Sequence, residues 1–534
     1  MNPFKRFKII READLSISTA SSNCHPVECE KSSINHTIFW IPFSLIASSI
    51  IIGMAMPELF ESIVKHGQAF ILDNFSWLFS STGFLCLIVI TVAFFSKFGN
   101  VVIGGKKAKP VLSKWQWFAV TLCTTIAINI LFWPIVEPLQ DMLAPPQSFG
   151  FAPNSYNAAK FSLASMYMNW GLVPYSINAL PALVFAVCYY NLKRPFSLGS
   201  ILFPIFGKRA NQGVGKVVDI ISLYALALGM GTSLGTGVLM LSRGISRFFP
   251  SIQSSPQVWG MIITMVIIVC LISSISGLLK GMRILSEFNT KLFFILIIAA
   301  FILGPTVFIL DFSVESFGSF ANNFFSRCLF TDAFRIDSWP QKWTVFSFAN
   351  YMIWAPISAL FLGRISKGYT VREFISINVI LPVVFVFIHS SVFSSTAIWQ
   401  QIFGGVDLQA SIATGVDEAV YILLENMDLA AVIVPVFLFI VFISFITAAD
   451  STTNAMASLT TKHLSEKDQE APVVLKVAWG LIIGTLAFIM LASSGLEGMK
   501  TLTYLGGTPI TLVIIGAVFS LIKLIKTRER LNEV

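Results

Sequence analysis

Long apolar runs alternate with short polar segments along the chain. Each run has roughly 20 residues, the length of α-helix that crosses the hydrocarbon core of a bilayer. None of the runs contains Asp, Glu, Lys or Arg, as the cost of a charge at mid-membrane requires. The pattern predicts an all-α polytopic membrane protein with 12 transmembrane helices. The predicted spans are residues 37–56, 77–96, 117–136, 171–190, 220–241, 258–277, 292–310, 344–363, 376–395, 429–448, 477–494 and 503–522.

Composition excludes several other classes of protein. The 534 residues are 55% hydrophobic and 12% charged, whereas soluble domains are about 25% charged. The seven cysteines have no regular spacing and predict no disulfide framework. Cys24, His25 and Cys29 in the N-terminal tail supply too few ligands for a closed tetrahedral metal site. No HExxH motif is present, and we predict neither an enzyme nor a resident cofactor or metal.

The basic residues predict the orientation of the chain. They form short clusters between apolar runs and at both ends, not one long basic face, so the net charge of +8 does not indicate a nucleic-acid partner. Because positive segments stay on the cytoplasmic side, both termini are predicted to be cytoplasmic. The predicted organisation is a tail at 1–36, a membrane domain at 37–524 and a short basic tail at 525–534, which could contact anionic lipid.

Two longer segments, at roughly 139–169 and 311–343, are predicted to be external. The second is predicted to be partly helical, because aromatic residues recur in it at spacings of three to five. Such a helix could lie in the membrane interface or pack on its own bundle. The aromatic residues are Phe317, Phe320, Phe324 and Phe325.

Helix-breaking and small residues inside the apolar runs give the first indication of function. A proline removes a backbone hydrogen bond, which lipid tolerates only where protein or a cavity compensates. Broken helices in corresponding halves of a chain are typical of secondary transporters, although packing kinks give the same pattern. The glycine run at 229–237 favours close helix packing, with room for a ligand as the alternative. The prolines are Pro134, Pro174, Pro181, Pro356, Pro435 and Pro509.

A few aromatic residues lie where a membrane-embedded ligand could meet them. Trp354 lies in the middle of its predicted span, three residues after Tyr351, so the two rings share a helix face. Trp170 opens another span. A quaternary ammonium group has no N–H donor and is bound by aromatic faces. These rings therefore indicate an onium site, while ordinary core packing remains the alternative.

The eighth span and the loop after it resemble the signature of the betaine/carnitine/choline transporter family. The run is WAPISALFLGRISKGYTVREF at 354–374. Several further segments look closest to the carnitine/γ-butyrobetaine exchanger branch. The supporting segments are LFWPIVEP (131–138), MNWGLVPY (168–175), MGTSLG (230–235), GLLKGMRILSEFN (277–289), WPQKWTVF (339–346) and TAADS (447–451).

The resemblance implies a fold and a mode of action. It implies two inverted five-helix repeats of the LeuT-like type, at about 117–310 and 344–522, usually assembled as a homotrimer in the bacterial inner membrane. It also implies alternating-access transport of a glycine betaine, carnitine or choline-like solute past a cage of Trp170, Tyr351 and Trp354.

The resemblance places three further residues at the cage and also shows departures from the family pattern. It places an outer aromatic stop at Trp343. Asn350 stands where tryptophan is expected, Tyr351 also replaces a tryptophan, and Gln140 replaces the exchangers' tyrosine. For the charged loop residues Arg364, Arg372 and Glu373 we predict a structural gate-loop role, with solvated charges that determine orientation as the alternative.

The ion-coupling positions leave alternatives open. Thr447 matches one of two adjacent hydroxyls of a sodium site, but Ala448 replaces the other, and Leu226 and Met230 replace the hydroxyls of a second site. Asn289 stands where sodium-independent exchangers carry arginine. Sodium-coupled uptake, sodium-independent exchange and a sensor that no longer transports are thus all compatible with the sequence.

Overall fold

The computed structural model describes residues 33–125, 128–211, 213–275, 278–462 and 471–528. Cys24, His25 and Cys29 lie outside these ranges. Within them the protein is predominantly α-helical. A short antiparallel pair of strands, β1 (Ser33–Ile34) and β2 (Thr461–Lys462), is also present. The helices are α1 (His36–Ala55), α2 (Pro57–Phe95), α3 (Lys114–Thr125), α4 (Asn129–Leu143), α5 (Tyr156–Trp170), α6 (Leu172–Ala186), α7 (Phe203–Phe206), α8 (Gly213–Phe248), α9 (Pro256–Ile275), α10 (Leu278–Leu303), α11 (Thr306–Asn322), α12 (Phe324–Cys328), α13 (Phe346–Ile365), α14 (Val371–Ile375), α15 (Leu381–Ile402), α16 (Leu408–Thr414), α17 (Glu418–Glu425), α18 (Ala430–Leu459) and α19 (Val473–Lys526).

The helices make the chain a multi-pass membrane protein. In the part of the chain that the structure describes, 10 helical segments are long and apolar enough to cross a membrane, or 11 if the bent pair α3 and α4 forms one span. The predicted span at 258–277 falls on α9, of which the apolar part that could be assessed, Pro256–Cys270, is shorter than a full span. Helix length and composition therefore support 10 or 11 spans directly.

Two helices extend well beyond the predicted spans. α2 begins at Pro57, some 20 residues before the predicted start, and its first half includes an exposed ion pair between Glu61 and Lys65. α19 covers both of the last two predicted spans, with a single non-helical residue, Gly495, between them. The predicted spans ended at charged residues and were therefore shorter than the helices, because an exposed helix end carries charged residues readily.

The segment at roughly 311–343, predicted to be external, is partly helical, as its aromatic spacing predicted. It forms α11 and α12. Phe320 is buried, with its ring 6.0 Å from that of Tyr167 on α5, and the ring of Phe317 lies 6.1 Å from that of Phe387 on α15. The aromatic stripe therefore packs partly on the protein's own bundle, while Phe325 stays exposed.

The glycine run lies on α8 and forms a packing face. An added Cβ at Gly229 would lie 3.2 Å from the side chain of Ile353 on α13. At Gly237 it would lie 3.0 Å from the ring of Phe445 on α18. The small residues thus let α8 approach α13 and α18 closely. The packing interpretation of the run accounts for these contacts.

Two helix breaks lie inside the bundle. α3 and α4 meet at 55°, although the sequence between them has no glycine. α5 and α6 are separated by Gly171 alone. Since α13 packs against α6 and α8, these breaks lie beside the helix that carries the predicted cage residues.

Candidate functional site

A continuous series of aromatic rings, here called the ring column, runs between α4, α5 and α13. The ring of Trp343 lies 6.2 Å from that of Trp133, which is nearly parallel to Trp170 at 6.0 Å. Trp170 in turn lies 5.9 Å from Tyr351. The least buried of the four, Trp343, is only 7% exposed. The structure thus brings together three predicted residues, and Trp133, which the sequence analysis did not select, joins them.

The helix break at Gly171 positions Trp170. Trp170 is the last residue of α5. A Cβ at Gly171 would lie 2.2 Å from the carbonyl oxygen of Tyr167 and 2.7 Å from the ring of Phe387. Real Cβ atoms essentially never approach other atoms that closely, so only glycine fits. The break therefore places an indole in the interior of a helical segment that runs from Tyr156 to Asn191.

A buried carboxylate fixes the orientation of the Trp170 ring. The Nε1–H of Trp170 donates to Oε2 of Glu137 at 2.7 Å, and the Nδ2–H of Asn169 donates to Oε1 at 2.6 Å. Asn169 is held in turn by Ser347 of α13, whose hydroxyl donates to its carbonyl oxygen. Because both oxygens of Glu137 accept N–H donors, the arrangement suits an ionised carboxylate. The edge of the indole is thus bonded, and its face remains for other contacts.

Trp354 occupies a different part of the site. It is buried on α13 but makes no ring–ring contact among the described residues. Its Nε1–H is buried and has no hydrogen-bond acceptor within the described ranges. Asn350 is buried on the same helix, and Gln140 is half-buried on α4. Trp354 therefore contributes a buried donor, whereas the ring column contributes aromatic faces.

A lysine ammonium occupies the end of the ring column at Trp343. The Nζ of Lys500 lies 5.0 Å from the ring centre of Trp343 and 5.5 Å from those of Trp133 and Phe346. Lys500 is 9% exposed. These distances are within the range of cation–π attraction. We call the three rings the lysine box.

Further charged groups surround the lysine box. Lys500 interacts electrostatically with the carboxyl groups of Glu137 and Asp141. Asp141 is fully buried, and its Oδ1 accepts the Nε1–H of Trp339 at 2.9 Å. Burial lowers the pKa of Arg327, on α12, to about 10, and the nearby Asp141 opposes that shift. The sequence analysis missed this cluster, although LFWPIVEP contained Trp133 and Glu137.

The predicted ion-coupling residues lie together in a second, neutral site. The Nδ2–H of Asn289 on α10 donates to Oγ of Ser444 on α18 at 2.9 Å. The hydroxyl of Thr447 donates to the carbonyl oxygen of Ser444 at 3.0 Å. The Oδ1 of Asn289 is buried without a hydrogen-bond partner in the described ranges. We call these three residues the oxygen cluster; Leu226 and Met230 are buried and apolar.

The predicted gate-loop residues join two loops that flank α2 and α13. The hydroxyl of Tyr190 donates to the carbonyl oxygen of Arg364 at 2.7 Å. Arg372 Nη1 donates to Asn100 Oδ1 at 2.7 Å. Glu373 caps α14 and pairs with Lys114 at 2.8 Å. Backbone bonds such as that from Val371 N to Val101 O, at 2.9 Å, reinforce the junction.

Comparison with known proteins gives relatives along almost the whole chain. An ectoine/hydroxyectoine transporter of Virgibacillus pantothenticus is 26% identical over 503 residues, covering 94% of this chain and 99% of the relative. A high-affinity choline transport protein of Escherichia coli K12 is 29% identical over 505 residues, covering 94% of this chain and 74% of the relative. A probable glycine betaine transporter of Desulfitobacterium hafniense is 27% identical over 496 residues, covering 92% of this chain and 98% of the relative.

One solved structure and one family pattern complete the comparison. The substrate-bound outward-open state of a Na⁺-coupled sialic acid symporter has a TM-score of 0.45 at 14% identity, covering 83% of this chain and 87% of that chain. That similarity is too low to support an argument about coupling. The pattern described as BCCT, betaine/carnitine/choline family transporter, matches residues 37–530. The chain therefore belongs to the betaine/carnitine/choline family of transporters, which confirms the predictions of a transporter and of a protein that is not an enzyme.

Proposed function

We propose that this transporter carries a small quaternary ammonium or betaine-like solute and binds it at the ring column. The observation that carries the proposal is the series of ring contacts from Trp343 through Trp133 and Trp170 to Tyr351. Two of the named relatives, which are choline and glycine betaine transporters, agree with this class of solute.

The chemistry of the solute matches these ring faces. A quaternary ammonium group cannot donate a hydrogen bond, so in a dehydrated site its charge is best met by aromatic faces, each contributing roughly 0.5 to 2 kcal/mol. The bond from Trp170 to Glu137 holds one such ring in place. The buried Nε1–H of Trp354 is a donor that an oxygen of the solute would satisfy. The site thus combines ring faces for the onium group with a donor for a polar group of the solute.

Transport requires the column to become accessible from each side in turn. All four of its rings are buried, so the helices that carry them have to separate before a solute can enter. We propose that the helix breaks at Gly171 and between α3 and α4 allow this movement. We further propose 12 spans with two inverted five-helix repeats at 117–310 and 344–522, a homotrimer, and cytoplasmic termini.

For coupling we propose sodium bound at the oxygen cluster. Sodium requires hard oxygen ligands. Asn289, through its Nδ2–H, and Thr447, through its hydroxyl, both bond to Ser444. The Oδ1 of Asn289, which has no partner within the described ranges, and the Thr447 hydroxyl offer such oxygens. In family terms, Asn289 leaves no fixed positive charge where sodium-independent exchangers carry arginine. The buried apolar pair Leu226 and Met230, which replaces the hydroxyls of the second site, argues for one sodium site only.

Binding and counterflow in proteoliposomes test the proposed solute class. The panel is glycine betaine, choline, carnitine and γ-butyrobetaine. Trp354→Ala should lower the affinity for the bound solute at least about tenfold, because both a ring and a buried donor are lost. Trp77→Ala is the matched control, since Trp77 is 58% exposed on α2. If no onium compound binds the folded wild-type protein, the proposed function is wrong.

Uptake with and without a sodium gradient separates sodium coupling from exchange. Sodium-driven accumulation into empty vesicles supports coupling. Uptake that needs preloaded solute and ignores sodium supports exchange, the mechanism of the carnitine/γ-butyrobetaine branch that several segments of the sequence resemble. Binding without counterflow under either condition would identify a sensor that retains the fold. The three mechanisms therefore give three distinct results.

A further inference from the structure

The lysine box already holds a cation, and that cation belongs to the protein. The Lys500 ammonium lies over the faces of Trp343, Trp133 and Phe346 at 5.0 to 5.5 Å. Aromatic boxes of this kind bind alkylated ammonium groups. Trp133 belongs both to this box and to the ring column. A solute at Trp133 and Trp170 therefore meets a fixed positive charge beside it.

Two buried carboxyl groups interact electrostatically with this lysine. Both oxygens of Glu137 accept N–H donors, which suits the ionised form. The Lys500 ammonium interacts with this carboxyl group and with that of Asp141. A second permanent cation brought to Trp133 would be repelled by Lys500 and would compete with it for Glu137. A carboxylate brought with that cation removes the repulsion, because it can pair with the ammonium.

We propose that Lys500 is a specificity-determining residue that favours zwitterionic onium solutes, which carry a carboxylate, over solutes with a net positive charge. The proposal rests on the function proposed above and narrows its substrate class. The residue need not move for the effect to arise. If Lys500 stays in the lysine box, its ammonium repels a solute with a net positive charge. If Lys500 leaves the box, it loses its contacts with the rings, and only a solute carboxylate offers the ammonium a new partner.

The position of Lys500 on its helix is consistent with this role. It lies in the second half of α19, five residues after the non-helical Gly495, whose φ is 55°. An added Cβ at Gly495 would meet open space. The ammonium is thus carried by a segment that follows a break in the longest helix of the described chain.

Two ligands that share a trimethylammonium group provide the test. Glycine betaine carries a carboxylate, and its methyl ester has the same onium end and a net positive charge; choline is a second cation. Binding to the full-length wild-type protein in proteoliposomes should favour glycine betaine over both cations at least about tenfold, a difference equivalent to about 1.4 kcal/mol. Equal or tighter binding of the cations to the wild type would overturn the proposal, whatever the variants do.

Variants then assign the preference to Lys500. Lys500→Met should shift the betaine-to-choline affinity ratio at least about tenfold toward choline, because Glu137 loses its cation. Lys500→Arg should keep the wild-type ratio. Lys342→Met is the matched control, since Lys342 precedes Trp343 and is exposed. An unchanged ratio in a folded Lys500→Met protein rejects the proposal, whereas failure of every ligand to bind the wild type would instead reject the proposed function.

Discussion

The ring column and the oxygen cluster are both buried in the same bundle but differ in their chemistry. The ring column combines aromatic faces with a buried carboxyl group that accepts two N–H donors and with a lysine ammonium. The oxygen cluster is neutral and joins Asn289 to Ser444 and Thr447 by hydrogen bonds. The ring column suits a large, dehydrated cation, and the oxygen cluster suits a small ion that needs oxygen ligands.

The difference shows how two cations can be separated within one membrane protein. The onium charge is spread over alkyl groups and gains from contact with ring faces, whereas sodium gains from a few short contacts with oxygens. A ring cannot replace a hydroxyl in the second site, and a hydroxyl cannot replace a ring in the first. Substitutions in one site are therefore expected to change affinity for one cation much more than for the other.

The largest expected effect is at Trp170. Trp170→Ala should weaken onium binding about tenfold to a hundredfold, because it removes a ring face and leaves Oε2 of Glu137 without its donor. Trp170→Phe keeps a face and loses only the hydrogen bond, so its loss should be smaller. Titration of the solute at fixed sodium measures both. Equal losses in the two variants would mean that the hydrogen bond, and not the ring face, determines affinity.

The next effect is at the helix break that positions Trp170. Gly171→Ala forces a Cβ to within 2.2 Å of a backbone oxygen, so the chain has to shift at a cost of about 1 to 3 kcal/mol in the free energy of unfolding. Its thermal unfolding midpoint and its onium affinity should both fall. Gly318→Ala on α11 is the control, because nothing lies within 4 Å of its added Cβ. A Gly171→Ala protein as stable as this control would contradict the close contact.

The smallest effect is expected in the oxygen cluster. Thr447→Val keeps the shape of the side chain and removes the hydroxyl that bonds to Ser444. The sodium concentration for half-maximal uptake should rise about threefold to tenfold, while onium binding at saturating sodium should be unchanged. Thr452→Val, which removes a buried hydroxyl from the same helix, should change neither. A similar sodium shift in both variants would remove the support for the proposed sodium site.

Much of the helical architecture could be predicted because the bilayer imposes its own length on each span. Helix α1 matches its predicted span to within one residue, and α8 and α18 contain almost all of theirs but are longer. The aromatic spacing after residue 311 predicted the helices α11 and α12, because residues on one face of a helix recur about every 3.6 residues. Local periodicity was sufficient to predict a helix wherever that helix faces lipid or packs on the surface of the bundle.

The charged part of the site could not be predicted in the same way. The third span was predicted to end at residue 136 because Glu137 follows it. The carboxylate is nevertheless buried, because Asn169 and Trp170 of α5 donate to it. Lys500 lies between the last two predicted spans and is stabilised by rings from α4 and α13. Its partners are separated from it by more than 150 residues, so no local pattern indicates them.

The sequence by itself determined the family, the apolar helices and the aromatic residues that an onium solute would need. These properties follow from composition, periodicity and motifs, which are local to each segment. Only the tertiary structure decided which charges are buried, which rings meet and which lysine enters an aromatic box. A charge is retained in the bundle only when distant helices supply its partners, and that pairing exists only once the helices have packed.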